Sequence, residues 1–139
     1  MVQSVILDLL DSSLDVKSAR SDSDNWINFE NNKDMFIPVH YAFYNILYQD
    51  LYFKDVYDKH QDCSVVIYNG GRVSGIWPLS FWSVSGKLYI GSNGGELLPP
   101  LLCPDLGIET QRRIYEKCTL FLSNAKNGGV NISLKPTSA

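Results

Sequence analysis

At 139 residues, 45% of them hydrophobic, the chain has the size and apolar content for one domain with a real core. Its formal net charge of -3 leaves no basic footprint for nucleic acid or for an anionic membrane surface, so neither is expected as a partner. Three widely spaced cysteines (Cys63, Cys103, Cys118) without a C-x-x-C pair, and only His40 and His60 as imidazoles, argue against a disulfide framework and against a metal site.

The opening Met-Val-Gln-Ser-Val-Ile-Leu-Asp-Leu-Leu-Asp has no basic n-region and is interrupted by Asp8 and Asp11, which is not the pattern of a signal peptide. No stretch approaches the ~18 apolar residues of a membrane span. A reduced, cytoplasmic setting is expected. Val5–Leu10 fits a first strand, and an amphipathic helix to about Leu14 fits as well. Asp11–Asp24, rich in Ser and Asp, reads as a loop that is free to move. Ser23-Asp24 then caps a short helix carrying Trp26, Ile27 and Phe29, with Asn31-Asn32 at its end.

Pro38 and His40 introduce an aromatic helical stretch, Tyr41–Tyr57. The 41, 44, 48, 52 spacing puts Tyr41, Tyr44, Tyr48 and Tyr52 on one side of it. A helix packed on a sheet with phenol tips at the rim accounts for this pattern. A stacking surface for sugars or bases is the sharper alternative, but the acidic flanks do not suit a nucleic-acid platform. Asp58-Lys59-His60-Gln61-Asp62 reads as a solvated helix end.

Ser64–Asn69 is a β-branched strand, and Asn69-Gly70-Gly71-Arg72 turns it into a second, Arg72–Trp82. Within that second strand Trp77 and Phe81 share one face, Trp82 lies on the other, and Pro78, which has no N–H, marks an edge or a bulge. Ser83–Gly86 leads to a third strand, Lys87–Ser92, completing an antiparallel meander. After the Gly- and Pro-rich segment Gly91–Gly107, Thr110–Asn127 is the clearest helix, with Ile114, Cys118, Phe121, Leu122 and Ala125 in one stripe. Gly128-Gly129 stops it, and Val130–Lys135 is a last strand. The fold class expected is α/β (α+β): a mixed, mostly antiparallel sheet of about five strands flanked by helices.

Several motifs carry a resemblance: Trp26-x-x-Phe29, the run from Val65 through the Asn-Gly-Gly-Arg turn to Gly75-Ile-Trp-Pro78-Leu79, the strand end Gly91-Ser-Asn-Gly-Gly95, and Gly128-Gly-Val-Asn-Ile-Ser-Leu134. Together, from about Trp26 to Leu134, they resemble the first GNAT-type half of FemAB-like acyltransferases. The resemblance implies a single GNAT-like domain over residues 1–139, and an activity: transfer of an acyl group to an amine of a sugar or peptide precursor. In that family the acyl chemistry lies mainly with the second half and the cleft between halves. This chain would then be the substrate-recognition half, with a second GNAT-like domain or a homo-oligomer as partner. Acyl-CoA or another acyl donor would belong to the partner domain, and no cofactor to this one.

One departure sets this chain apart from the CoA-dependent pattern and favours a binding or assembly module. CoA-dependent acetyltransferases carry an Arg/Gln-x-x-Gly-x-Gly/Ala segment whose N–H groups hold the pyrophosphate at a helix N-terminus. The equivalent segment here holds Glu96, Asp105 and Glu109 with Pro99, Pro100 and Pro104, which repel phosphate or lack the N–H. A stand-alone acetyltransferase with an atypical loop therefore ranks below a non-catalytic binding or assembly module as the alternative.

Acyl transfer to an amine needs a base and an oxyanion donor. Glu96 is the candidate base, and Asn93 with the N–H groups of Gly94 and Gly95 are candidate donors, although a tight turn ending a strand is the plainer and preferred reading of Asn93-Gly94-Gly95. Trp77, Trp82, Tyr44 and Tyr48 complete the expected substrate pocket. No serine lies in a G-x-S-x-G elbow, and Cys103 has no surrounding signature of a nucleophile.

Overall fold

A long, twice-broken hairpin organises the chain. In the computed structural model, which describes residues 14–134, strands β2 (Lys59–Asp62) and β3 (Val65–Asn69) run antiparallel to β4 (Arg72–Trp77) and β5 (Ser80–Val84). Both sides break at one level, at Cys63-Ser64 and at Pro78-Leu79. Pro78 has no N–H to give a ladder. The break is closed instead by Cys63 N donating to Leu79 O (2.8 Å) and Leu79 N donating to Ser64 Oγ (3.0 Å).

On either side of the break the hairpin joins a different sheet. With β1 (Asp15–Ser18) and β7 (Leu101–Leu102), β3 and β4 form a four-stranded sheet of order β1-β3-β4-β7. With β6 (Lys87–Gly91) and β8 (Asn131–Ile132), β2 and β5 form a second of order β2-β5-β6-β8. Every pairing is antiparallel except β6 with β8, which is parallel and closed by a helical crossover. The mixed, mostly antiparallel α/β class holds. The single sheet of about five strands is instead two sheets of four, because Pro78 divides the expected strand Arg72–Trp82 rather than merely kinking it. The two tight turns behave as expected: Gly70 and Gly71 (φ 60° and 78°) and Ser85 and Gly86 (φ 51° and 78°) take the left-handed backbone that a two-residue hairpin loop requires.

Among the described residues three helices cover the sheets: α1 (Ser23–Glu30), α2 (Phe43–Lys54) and α3 (Ile108–Asn127), with a 3-10 turn at Val39–Tyr41 before α2. Strand β3 is buried on both faces, which is why Val65-Val66-Ile67 is an unbroken apolar run. Val65 and Ile67 point to one side, where Trp77, Phe81 and the α3 stripe Ile114, Cys118 and Phe121 fill the core. Val66 and Ile76 point to the other, against Trp26 and Phe29 of α1 and Phe43 and Ile46 of α2. Trp26 is fully buried and donates its Nε1–H to Tyr41 O at 2.9 Å, tying α1 to the start of α2.

Four expectations are corrected. Asp11–Asp24 is not a loop over its described part: β1 pairs with β3 from Asp15↔Tyr68 to Ser18↔Val65, and α1 begins at Ser23. That strand exists because the β3 edge offers a ladder, not because its own residues favour one. Tyr41 is not on the tyrosine helix; Ala42 is extended, so Tyr41 turns inward and donates its hydroxyl to Pro99 O at 2.7 Å. Lys59–Asp62 is a strand rather than a solvated helix end, with His60 and Asp62 buried. Within Gly91–Gly107, Leu101–Leu102 pairs with β4 as β7. The expected first strand Val5–Leu10 lies outside the described residues.

Candidate functional site

A cleft of about 330 Å³ separates α2 from the segment after β6. Asn45, Gln49 and Phe53 recur every fourth residue, so one side of α2 presents them together. Ser92, Asn93, Glu96 and Leu98 form the opposite wall, and His40 closes one end.

That wall is held firmly. Ser92 and Gly95 exchange backbone hydrogen bonds (3.3 and 2.9 Å), and Ser92 Oγ donates to Pro78 O and accepts from Leu98 N (2.5 and 2.9 Å). Asn93, at φ 52°, donates its Nδ2–H to His40 O (2.9 Å). Gly94 receives the Tyr57 hydroxyl on its carbonyl (2.8 Å) and donates its N–H to Ser80 Oγ (2.8 Å). It lies against Phe53 so closely that a Cβ would come within 2.3 Å of the ring.

Of the residues expected at a site, Asn93 and Glu96 line this cleft and Gly94 and Gly95 build its wall. The N–H groups of Gly94 and Gly95, the expected oxyanion donors, are both spent on internal bonds. Tyr44 and Tyr48 lie on the exposed outer face of α2 instead of lining the cleft. Trp77 is in the core, edge-on to Phe121 (5.9 Å, 79°), with its Nε1–H on Leu98 O at 2.8 Å. Trp82 is buried, stacked between Tyr57 (5.2 Å) and Tyr89 (6.0 Å).

Asn45 and Gln49 belong to no motif in the sequence. The Asn45 Nδ2 group is buried and has no hydrogen-bond partner, a costly state for an amide unless something arrives to accept from it. The signal was the four-residue spacing of Asn45, Gln49 and Phe53, running beside the tyrosine spacing on the same helix.

Behind the cleft α2 is bolted to the break in the hairpin by buried charge. Asp50 accepts from Arg20 Nη2 (2.7 Å), from Lys54 Nζ, and from the backbone N–H of Asp62 (3.2 Å). His60 Nδ1 meets Asp50 Oδ1 at 2.9 Å. Asp62 in turn accepts from Arg20 Nε (3.1 Å) and from the Ser64 hydroxyl (2.6 Å). Burial works to raise the Asp50 pKa, but Lys54, then His60 and Arg20, more than reverse it and hold the carboxyl below its ordinary range. Burial pushes Asp62 up, beyond what Ser64 and Arg20 recover. Burial also pushes His60 down despite Asp50, so the ring is neutral, donates from Nδ1, and leaves a buried Nε2 without a partner among Phe53, Tyr57 and Trp82.

The cleft thus offers side-chain amides, one carboxylate and one imidazole to a polar ligand, on a wall fixed by backbone bonds. Among the described residues no group of three or more His, Cys, Asp and Glu is placed to hold a metal ion, and no helix is long and apolar enough to cross a membrane. No family model matches the chain, and no curated protein or solved structure matches it either.

Proposed function

We propose that this domain binds the amine-bearing acceptor of an acyl transfer, as the substrate-recognition half of a FemAB-like N-acyltransferase, and that the acceptor, a sugar or peptide precursor, enters the cleft between α2 and Ser92–Leu98. The observation that carries this reading is the cleft's composition: an exposed Glu96 carboxylate for an ammonium group, and an unpartnered Asn45 amide for a carbonyl or hydroxyl oxygen. The meander β3 to β6, followed by α3 and β8, follows the element order that carries the resemblance and supports this reading. In this reading Glu96 holds the ammonium and takes its proton, Asn45 and Gln49 orient the acceptor, and the acyl donor comes from a partner domain.

A purely binding role is favoured by one observation. The N–H groups of Gly94 and Gly95 are already bonded inside the protein, so this loop leaves neither for an oxyanion. Oxyanion stabilisation in the acyltransferase reading therefore falls to the partner.

Amide-detected NMR with glucosamine and with a lysine-containing tripeptide tests the reading. Shifts centred on the side-chain amides of Asn45, Gln49 and Asn93 are expected. Perturbation confined to other surfaces, or none up to millimolar ligand, would overturn it.

A further inference from the structure

The outer face of α2 is apolar and uncharged, although it faces solvent. Tyr44, Tyr48, Leu51 and Tyr52 recur at i, i+4, i+7 and i+8, turned away from the buried Phe43, Ile46 and Asp50. Tyr44 is 80% exposed, Tyr48 66% and Leu51 69%. Val39 just before the helix and Val56 just after it are exposed as well. From Phe43 to Gln49 the helix has no charged side chain. An exposed apolar strip of this kind marks a docking surface.

We propose that this strip is the interface of a two-fold dimer, in which α2 packs antiparallel against α2 of a second copy of the chain. Three observations favour a copy over another occupant. With a whole tyrosine presenting about 200 Å², the six residues expose on the order of 700 Å², close to the ~800 Å² per partner that a stable interface buries. Tyr44, Tyr48, Leu51 and Tyr52 carry no charge, and the exposed Lys54 and Asp55 at the C-terminal end of the strip fall at opposite ends of an antiparallel pair, so two copies that are each at net -3 can meet there without bringing like charges together. It also holds no Lys or Arg before Lys54 to attract a nucleic acid or an anionic membrane.

The geometry suits a two-fold axis. An antiparallel pair opposes the helix dipoles. Tyr48 lies near the middle of the strip, so it falls beside the axis and meets its own counterpart. Tyrosine supplies broad, rigid contact area at small entropic cost. Asn45, Gln49 and Phe53 lie further round α2 on the cleft side, so each dimer carries two clefts. The dimer does not depend on the acyltransferase reading.

Sedimentation velocity of the full chain over about 1 to 100 µM tests the proposal. The expected species has twice the 15.7 kDa chain mass. Tyr48→Glu and Leu51→Glu each place a charge in the interface and are expected to raise the dissociation constant at least about a hundredfold without changing the far-ultraviolet dichroism, and to lower the unfolding midpoint only at concentrations where the parent chain is dimeric. Leu120→Glu, on the exposed side of α3, should leave the dimer intact. Tyr48→Cys should cross-link to its counterpart under mild oxidation while the unsubstituted chain does not. A monomer at the highest concentration would overturn the proposal and give the strip to a different protein, and a dimer that survives Tyr48→Glu would overturn its location.

Discussion

His60 and Asp50 meet across the joint between β2 and α2, Nδ1 to Oδ1 at 2.9 Å, while the other nitrogen of that ring is buried with no partner. The pair faces Lys54 and Arg20 on the Asp50 side, and Asp62 on the same strand as His60. One imidazole therefore links the helix that lines the cleft to the protonation state of the core.

The sign of that link follows from burial. His60 has its folded pKa pushed below the ordinary value near 6.5, so the unfolded chain binds its proton first as pH falls. The stability it contributes is complete above about pH 6.5 and is lost as pH falls from there towards the folded value. Urea unfolding at pH 7.5, 6.0 and 5.0 should show a falling midpoint, and His60→Phe should flatten that dependence. Because the raised Asp62 carboxyl contributes the opposite slope, the test lies in the comparison: a pH dependence unchanged in His60→Phe would contradict the neutral ring.

Asp50 is the acceptor on which the joint depends. Asp50→Ala leaves His60, Arg20 and Lys54 without it, and truncating one member of a buried charged network costs about 3 to 5 kcal/mol. Arg20 and Lys54 are each about half exposed, so water recovers part of that. A loss of about 3 kcal/mol in urea unfolding is expected. A loss below about 1 kcal/mol would mean the network is not what fixes α2.

Two neighbouring glycines should respond unequally. Gly94 has φ 74° and touches Phe53, so Gly94→Ala meets both backbone strain and a ring 2.3 Å away. It should cost about 2 kcal/mol and disturb the cleft. At Gly95 an added Cβ finds only Ser92 O at 3.9 Å, and Gly95→Ala should change stability by no more than about 0.5 kcal/mol. Equal effects at the two sites would contradict the described wall.

Trp77 belongs to the core rather than to the cleft. Trp77→Phe gives up the indole bond to Leu98 O and some contact with Phe121, and about 2 kcal/mol of stability should go with them. Ligand affinity in the cleft should stay within about twofold, a change of less than 0.5 kcal/mol. A selective loss of binding with unchanged stability would return Trp77 to the site.

The turns and helices were legible because their chemistry is local. Asn69-Gly70-Gly71-Arg72 needs a left-handed backbone, and the α3 stripe repeats at helical spacing through Phe121, whereas the expected Ser23-Asp24 cap is corrected: both residues lie inside α1, and Asp22 before them makes no side-chain cap bond. Strands β1 and β2 were not legible, since an inward face made of His60 and Asp62 looks like a solvated one to any hydrophobic pattern. Such residues are buried only because Asp50 and Arg20 arrive from elsewhere in the chain, with Ser64 two residues on completing the bonds to Asp62. The cleft was half legible. Asn93 and Glu96 stood out in their glycine-rich loop, whereas Asn45 and Gln49 were masked by the tyrosines that share their helical period. Pro78 marked the disruption at the hairpin, but one sequence does not say that a strand continues into a second sheet.

The central claim is that the α2 cleft recognises an amine through Glu96. Calorimetric titration of the chain with glucosamine and with N-acetylglucosamine, repeated on Glu96→Gln, tests it most directly. The account predicts that the free amine binds more tightly than its acetylated counterpart, and that Glu96→Gln removes most of the difference, roughly fivefold for an ion pair partly open to water. Equal binding of the two sugars, or a preference for the amine that persists in Glu96→Gln, would contradict it.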